Sequence, residues 1–211
     1  MADRLIAAES CIDSDKLKGS GNLSQEEWVR LETTITRLVK SPLYIDETPG
    51  ITITEFILKV KRLRRERKIQ LVFVDYLQLI HVPNIQGPHR EQEVSAISQA
   101  LKSTAKELHI PIIALSQLNR NPANRAGSNG VPVLSDLRDS GSIEQDADLV
   151  MFIHRPYMLG MSEDESEAQV IIAKHRNGKT GRIEMRFSGQ QTHFIDMMNS
   201  GNDFTYNPFS D

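Results

Sequence analysis

Two apolar runs, the one in QLVFVDYLQLI (70–80) that ends near Asp75 and IPIIALSQL at 110–118, constrain this chain more than anything else in it. Neither alternates polar with apolar. Both are therefore expected to be strands buried on both faces. Between them Val94, Ile97, Leu101, Ala105 and Leu108 recur at helical spacing. A strand, an amphipathic helix and a strand make a parallel pair joined by a crossover. LVMFIHR (149–155) and AQVIIAKHR (168–176) predict a third and a fourth strand. GRIEMRFSG (181–189) alternates, and THFIDM (192–197) is short, so these are expected to be antiparallel and joined by hairpins. The expected class is α/β: a twisted, mainly parallel sheet with helices on both faces and antiparallel strands at its C-terminal edge.

Upstream, Leu5 and Ile6 with the alanines around them predict the late part of a helix. SQEE at 24–27 is a capping box, followed by Trp28, Leu31, Ile35 and Leu38 as an apolar face. LYIDET (43–48) predicts a short strand, Pro49-Gly50 a turn, and Thr52 with Glu55 a second capping box ahead of Phe56, Ile57, Val60 and Leu63. The basic run KVKRLRRERK (59–68) is expected to be a solvated helix face. Residues 119–132, rich in Gly, Pro and Asn, predict a mobile surface loop. One domain is expected over 1–197, with a disordered tail over 198–211.

The net charge of −3 advertises no global affinity for nucleic acid, so any such contact must be local or built by several subunits. The single cysteine, Cys11, excludes an internal disulfide. No apolar run approaches the ~20 residues of a membrane span, and MADRLIAAES has no signal-peptide core. A cytosolic protein is expected.

Candidate chemistry gathers at strand ends. Asp75 closes four apolar residues, the arrangement in which a Walker B carboxylate holds Mg²⁺; a strand-end Asp can equally cap the next turn. Gln117 ends the neighbouring strand, where it either faces the same crevice or simply leaves the core. In LSDLRDSGSIEQDADLVMFIHR (134–155), Arg138 lies beside Gly141-Ser142, which suit a tight turn whose N–H groups face a phosphate. The same residues suit an ordinary helix start capped by Ser140 or Ser142. Residues 173–180 imitate a phosphate loop with Gly178-Lys179-Thr180. Such a loop must open a helix, however, and a strand pattern follows, so Asn177-Gly178 predicts a hairpin turn. Lys174 and Arg176 share one strand face near that hairpin, a cation pair able to reach a phosphate chain, including one on a neighbouring subunit. The six histidines and one cysteine show no zinc-site spacing, and no GxSxG occurs.

Taken in order, PLYIDETPGITI, VFVDYLQL, PIIALSQLNR, LSDLRDSGSIEQDADLVMFIHR and VIIAKHRNGKTG closely resemble the replicative hexameric DNA helicases of the bacterial DnaB family. The resemblance covers nearly the whole chain. It implies a RecA-like fold, a homo-hexameric ring, ATP with Mg²⁺, and movement along single-stranded DNA at the replication fork. It implies that Asp75 is the Walker B carboxylate and that Gln117 couples the nucleotide to the DNA loops. Arg138, Asp139 and Gly141 are matched to the loop that holds the DNA backbone. Lys174 and Arg176 are matched to the pair offered in trans, Arg176 as arginine finger. Primase and a helicase loader are the implied partners. The family's phosphate loop, catalytic glutamate and primase-binding domain are expected upstream of Met1, so this polypeptide alone is expected to be inactive. A RecA-like recombinase or related ring ATPase, and a non-catalytic interaction module, remain the competing functions.

Overall fold

The structure is a computed structural model that describes residues 2–20, 22–83, 90–118 and 130–197, and only the backbone of residues 20 and 138–140. Residues 119–129 of the expected mobile loop and the expected disordered tail 198–211 lie outside the described residues. In chain order the elements are α1 (Ala2–Ser10), α2 (Gln25–Lys40), α3 (Ile53–Arg67), β1 (Val72–Val74), α4 (Arg90–Leu108), β2 (Ile112–Ala114), α5 (Gly141–Asp146), β3 (Leu149–His154), β4 (Glu167–His175), β5 (Gly181–Ser188) and β6 (His193–Asp196). They divide between two compact units, Met1–Ser41 with Ile153–Ile171 and Arg182–Asp211, and Pro42–Phe152 with Ile172–Gly181.

The second unit is built around the crossover. β1 and β2 are parallel, with Val72, Phe73 and Val74 opposite Ile112, Ile113 and Ala114. Their inner face meets α3 and α4 in a core of Ile53, Val74, Leu77, Ile80, Val94, Ile97 and Leu101. Both capping boxes form: Ser24 opens α2 and Thr52 opens α3, each exchanging hydrogen bonds with the glutamate three residues on. The start of α3 is also tied to the segment after β1, by Ile53 N–H to the His81 carbonyl at 2.9 Å and His81 N–H to the Ile51 carbonyl at 3.0 Å.

Several expectations are corrected here. The two runs are not buried on both faces, because α3 and α4 cover only one side. Phe73 is 67% exposed and its partner Ile113 37%, with Leu71 and Leu115 exposed beside them. LYIDET is not a strand: the Asp46 carboxylate accepts from Thr48 N–H at 3.0 Å and Thr48 Oγ1 at 2.5 Å, which closes a local turn. The basic run does form a solvated helix face, as expected, with Lys59 paired to Asp46 at 2.6 Å, Lys61 to Glu107 at 2.7 Å and Arg67 over the Tyr44 ring. The end of the polar loop is not surface, since Gly130 and Pro132 are buried.

In the first unit, α1 and α2 are joined by an ion pair between Glu9 and Arg37. The buried side of α2 is carried by Thr34 with Leu31 and Leu38 partly covered, whereas Trp28 and Ile35 are exposed, so its apolar stripe is narrower than the spacing predicts. β6 and nearly all of β5 lie in this unit and are antiparallel, as expected; the strand order of their four-stranded sheet is β3, β4, β5, β6. Phe187 and Phe194 face each other across that pair, ring centroids 4.8 Å apart.

Candidate functional site

Asp75 follows the last residue of β1, with its side chain exposed. The peptide bond from Asp75 to Tyr76 is cis. Leu115 N–H donates to the Val74 carbonyl at 2.9 Å, and Leu77 N–H donates to the Leu115 carbonyl at 2.9 Å. The two chain segments therefore stay hydrogen-bonded past the ends of β1 and β2. This brings Asp75 and Gln117 to the same C-terminal rim of the parallel pair, where open α/β sheets take their ligands.

Gln117 is held by a residue that sequence reasoning missed. Gln78 Nε2 donates to Ser116 Oγ at 3.0 Å and to the Gln117 carbonyl at 3.4 Å, and Gln78 Oε1 accepts from Gln117 N–H at 3.4 Å. Arg90, at the start of α4, donates to the Gln78 carbonyl and pairs with Glu93. The Glu93 carboxylate also accepts from Val82 N–H at 3.1 Å. Burial pushes the Glu93 carboxyl up, but Val82 N–H, Arg90 and His81 together hold it below its ordinary value. The only sequence signal for Gln78 is an amide inside an otherwise apolar run.

Lys174 and Arg176 converge as a second group. Lys174 lies in β4; Arg176 begins the turn into β5, with no helix after it, so Gly178-Lys179-Thr180 belong to a hairpin and not a phosphate loop. Both cations reach the carbonyl end of α5. Lys174 donates to Glu144 and, at 3.3 Å, to Gln145; Arg176 donates to the Gln145 carbonyl at 2.5 Å. A helix C-terminus carries unpaired carbonyls and negative potential, which such cations satisfy. Asp148 completes the group. It pairs with Lys102 of α4 and lies 3.6 Å from Arg176, whose backbone N–H donates to the Asp148 carbonyl at 2.9 Å. The Lys102 hydrogen bond, helped by the charges of Lys102, Arg176 and Lys106, holds the Asp148 carboxyl below its usual value against partial burial. One turn earlier on α4, Ser98 Oγ donates to the Asp146 carboxylate at 2.8 Å.

Residues Leu134–Ser140 form a 3-10 helix that runs directly into α5. Gly141 is helical, φ −52 and ψ −26, and a Cβ added there would meet nothing within 4 Å. The expected tight turn is therefore corrected to a helical junction. Its opening is capped by Asp136, whose carboxylate accepts from Val133 N–H at 2.8 Å. The side chains of Arg138 and Asp139 lie outside the described residues. Among the described residues no hydrogen bond or ion pair joins Asp75 and Gln117 to Lys174 and Arg176. Nor does any group of three His, Cys, Asp or Glu among them stand close enough to hold a metal ion. No described helix is long and apolar enough to cross a membrane.

The family model of the DnaB-like helicase C terminal domain matches residues 1–196. The chain is 42% identical over 195 residues to the replicative DNA helicase DnaC of Bacillus subtilis, covering 92% of this chain and 42% of that protein. It is 45% identical over 197 residues to the replicative DNA helicase DnaB of Pasteurella multocida, again 92% of this chain and 42% of that one. The chain thus spans about two fifths of the length of these relatives. Among solved structures it superposes on a DnaB-like replicative helicase studied with primase, at a TM-score of 0.82 and 34% identity over 92% of this chain and 48% of the other. It matches a second solved structure, an ATPase domain, at a TM-score of 0.81 and 34% identity over 92% of this chain and 69% of that domain. The fold is RecA-like α/β, with a parallel pair and an antiparallel sheet.

Proposed function

The chain belongs to the DnaB-like helicase C-terminal domain family, and from that premise we propose that it forms part of an ATP-driven motor that moves along single-stranded DNA in the cytoplasm and unwinds duplex at the replication fork. The observation that carries this reading is the shared rim of Asp75 and Gln117 at the ends of two parallel strands, with the Lys174–Arg176 pair held as a separate group. One wall of a triphosphate pocket needs a carboxylate; the opposite wall needs cations.

In a ring of six subunits, each ATP lies between two protomers. Asp75 is a fitting ligand for Mg²⁺ that arrives with the triphosphate, because such an ion needs only one or two carboxylates and keeps waters and phosphate oxygens for the rest. The bound ion would neutralise charge on the phosphate oxygens. Lys174 and Arg176 of the adjoining protomer approach the same phosphates, and Arg176 stabilises the charge that develops as the terminal phosphoryl leaves. A finger of this kind is worth ~10³–10⁵ in rate. Gln117 transmits the loss of the terminal phosphate to the chain beyond β2. Arg138, Asp139 and Gly141 hold the DNA backbone, so the motor need not distinguish sequence, and its DNA affinity falls with salt. Primase and a helicase loader are the partners proposed for the assembled protein.

The test mixes Asp75→Ala and Arg176→Ala subunits of the full-length protein. Each variant alone should lack ATPase activity. Mixed rings should regain a fraction of it, because some interfaces then carry both intact walls. Mixed rings that form, by native mass spectrometry, and stay inactive would refute the trans assignment.

A further inference from the structure

We propose that Asp148 is a positioning residue that holds Arg176 on the carbonyl end of α5, so that the departure of Arg176 toward a neighbour's triphosphate is felt by the 3-10 segment that runs into α5. The inference rests on the reading of Arg176 and of residues 138–141 given above. It adds a second line of coupling, separate from the one through Gln117.

The connection is short. α5 has six residues, so its two ends are separated by ~9 Å. Its first residue follows Ser140 without a spacer, and its last carbonyls receive Lys174 and Arg176. A displacement of the carbonyl end therefore reaches the proposed DNA-binding residues 138–141 through about a turn and a half of helix. The carbonyl end is also fixed to α4, through Ser98 to Asp146 and Lys102 to Asp148. Lys102 lies one helical turn beyond Ser98, so both reach out from one face of α4.

Two cations share the one carboxylate, and this makes the contact reversible. To meet a neighbour's triphosphate, the Arg176 guanidinium must leave Asp148 and the Gln145 carbonyl. Lys102 stays behind and keeps the Asp148 charge partnered, so the departure strands no carboxylate. The side chains of Arg176 and Asp148 are 47% and 61% exposed, so their pairing is weak enough to exchange and strong enough to bias where Arg176 rests. When Arg176 leaves, α5 loses one donor at its C-terminus, and the change is passed to the 3-10 segment at its other end.

The test is steady-state ATPase of the full-length protein, with and without a thymidine oligonucleotide, in wild type, Asp148→Asn and Asp148→Glu. The high exposure of Asp148 means that asparagine removes charge without opening a cavity. Asp148→Asn should cut the stimulation by DNA about three- to fivefold, the reach of an exposed ion pair, with KM for ATP changed less than twofold. Asp148→Glu should restore at least half of the lost stimulation. Unchanged stimulation in Asp148→Asn overturns the proposal. So does a glutamate variant as impaired as the asparagine one, which would mark a packing role. Arg176→Ala separates the two readings: if it leaves ATPase intact, the finger assignment falls; if it abolishes ATPase while Asp148→Asn behaves as wild type, only the coupling falls.

Discussion

Gln78 should show a measurable energetic link to Ser116. Its amide makes three contacts on the rim, but only the one to Ser116 Oγ, at 3.0 Å, lies within ordinary hydrogen-bond range; the two to Gln117 are at 3.4 Å. A neutral, half-buried hydrogen bond contributes ~1 kcal/mol net, and the two longer contacts add little. Gln78→Met keeps the length of the side chain and removes its polar atoms. Ser116→Ala removes the acceptor. Each single substitution should cost ~1 kcal/mol, and the double substitution about as much as one of them, because the second finds the bond already gone. The expected coupling energy is therefore ~1 kcal/mol, corresponding to about 2–4 °C in Tm for a chain of this size. Urea unfolding of the four proteins, with slopes compared to confirm equal exposure of surface, measures it. A coupling below ~0.3 kcal/mol would show that Gln78 does not hold Ser116, the residue before Gln117, in place.

Asp46 should give the chain a distinct acid response. The Lys59 hydrogen bond, then those of Thr48, lower its pKa from 3.8 to about 2. A carboxylate depressed on folding stabilises above its unfolded pKa and loses that contribution as pH falls through the folded value. The full shift would be worth ~2.5 kcal/mol, but with both partners about half exposed screening leaves ~1 kcal/mol. The stability gap between wild type and Asp46→Asn, measured by denaturation, should be whole at pH 6 and about half gone by pH 3; a gap that widens on acidification contradicts the pairing. Ile97→Ala removes a side chain that is 0% exposed and should cost ~2–5 kcal/mol, checked by the midpoint of urea unfolding. Gly141→Ala should be neutral or stabilise by up to ~1 kcal/mol, because the residue is already helical and its Cβ meets open space. A Tm several degrees lower would reinstate the glycine-requiring turn.

Local chemistry was legible in the sequence, and tertiary chemistry was not. Ser24 with Glu27, and Thr52 with Glu55, announce helix starts because each box closes on itself within four residues. The strand ends bearing Asp75 and Gln117 follow from apolar run lengths, and the hairpin at Asn177-Gly178 from the alternation after it. LYIDET misleads because its β-prone side chains lose to one aspartate that captures the backbone two residues on. Gly141-Ser142 mislead because the 3-10 helix of residues 134–140 turns the chain before the glycine is reached. The partners of Lys174 and Arg176 could not be foreseen. Asp148 and the carbonyls of α5 lie about thirty residues away, and backbone oxygens leave no trace in a sequence. Asp148 and Gln78 share one faint signature, a polar group set in or against an apolar strand run.

The bare side of the β1–β2 pair has a practical consequence for anyone handling this polypeptide. Among the described residues, Leu71, Phe73, Ile113 and Leu115 form an oily facet on a sheet of two short strands. Water shuns such a facet, and other chains can stack on it. A charged residue in place of Phe73 should keep the chain in solution longer while leaving the buried side of the pair untouched.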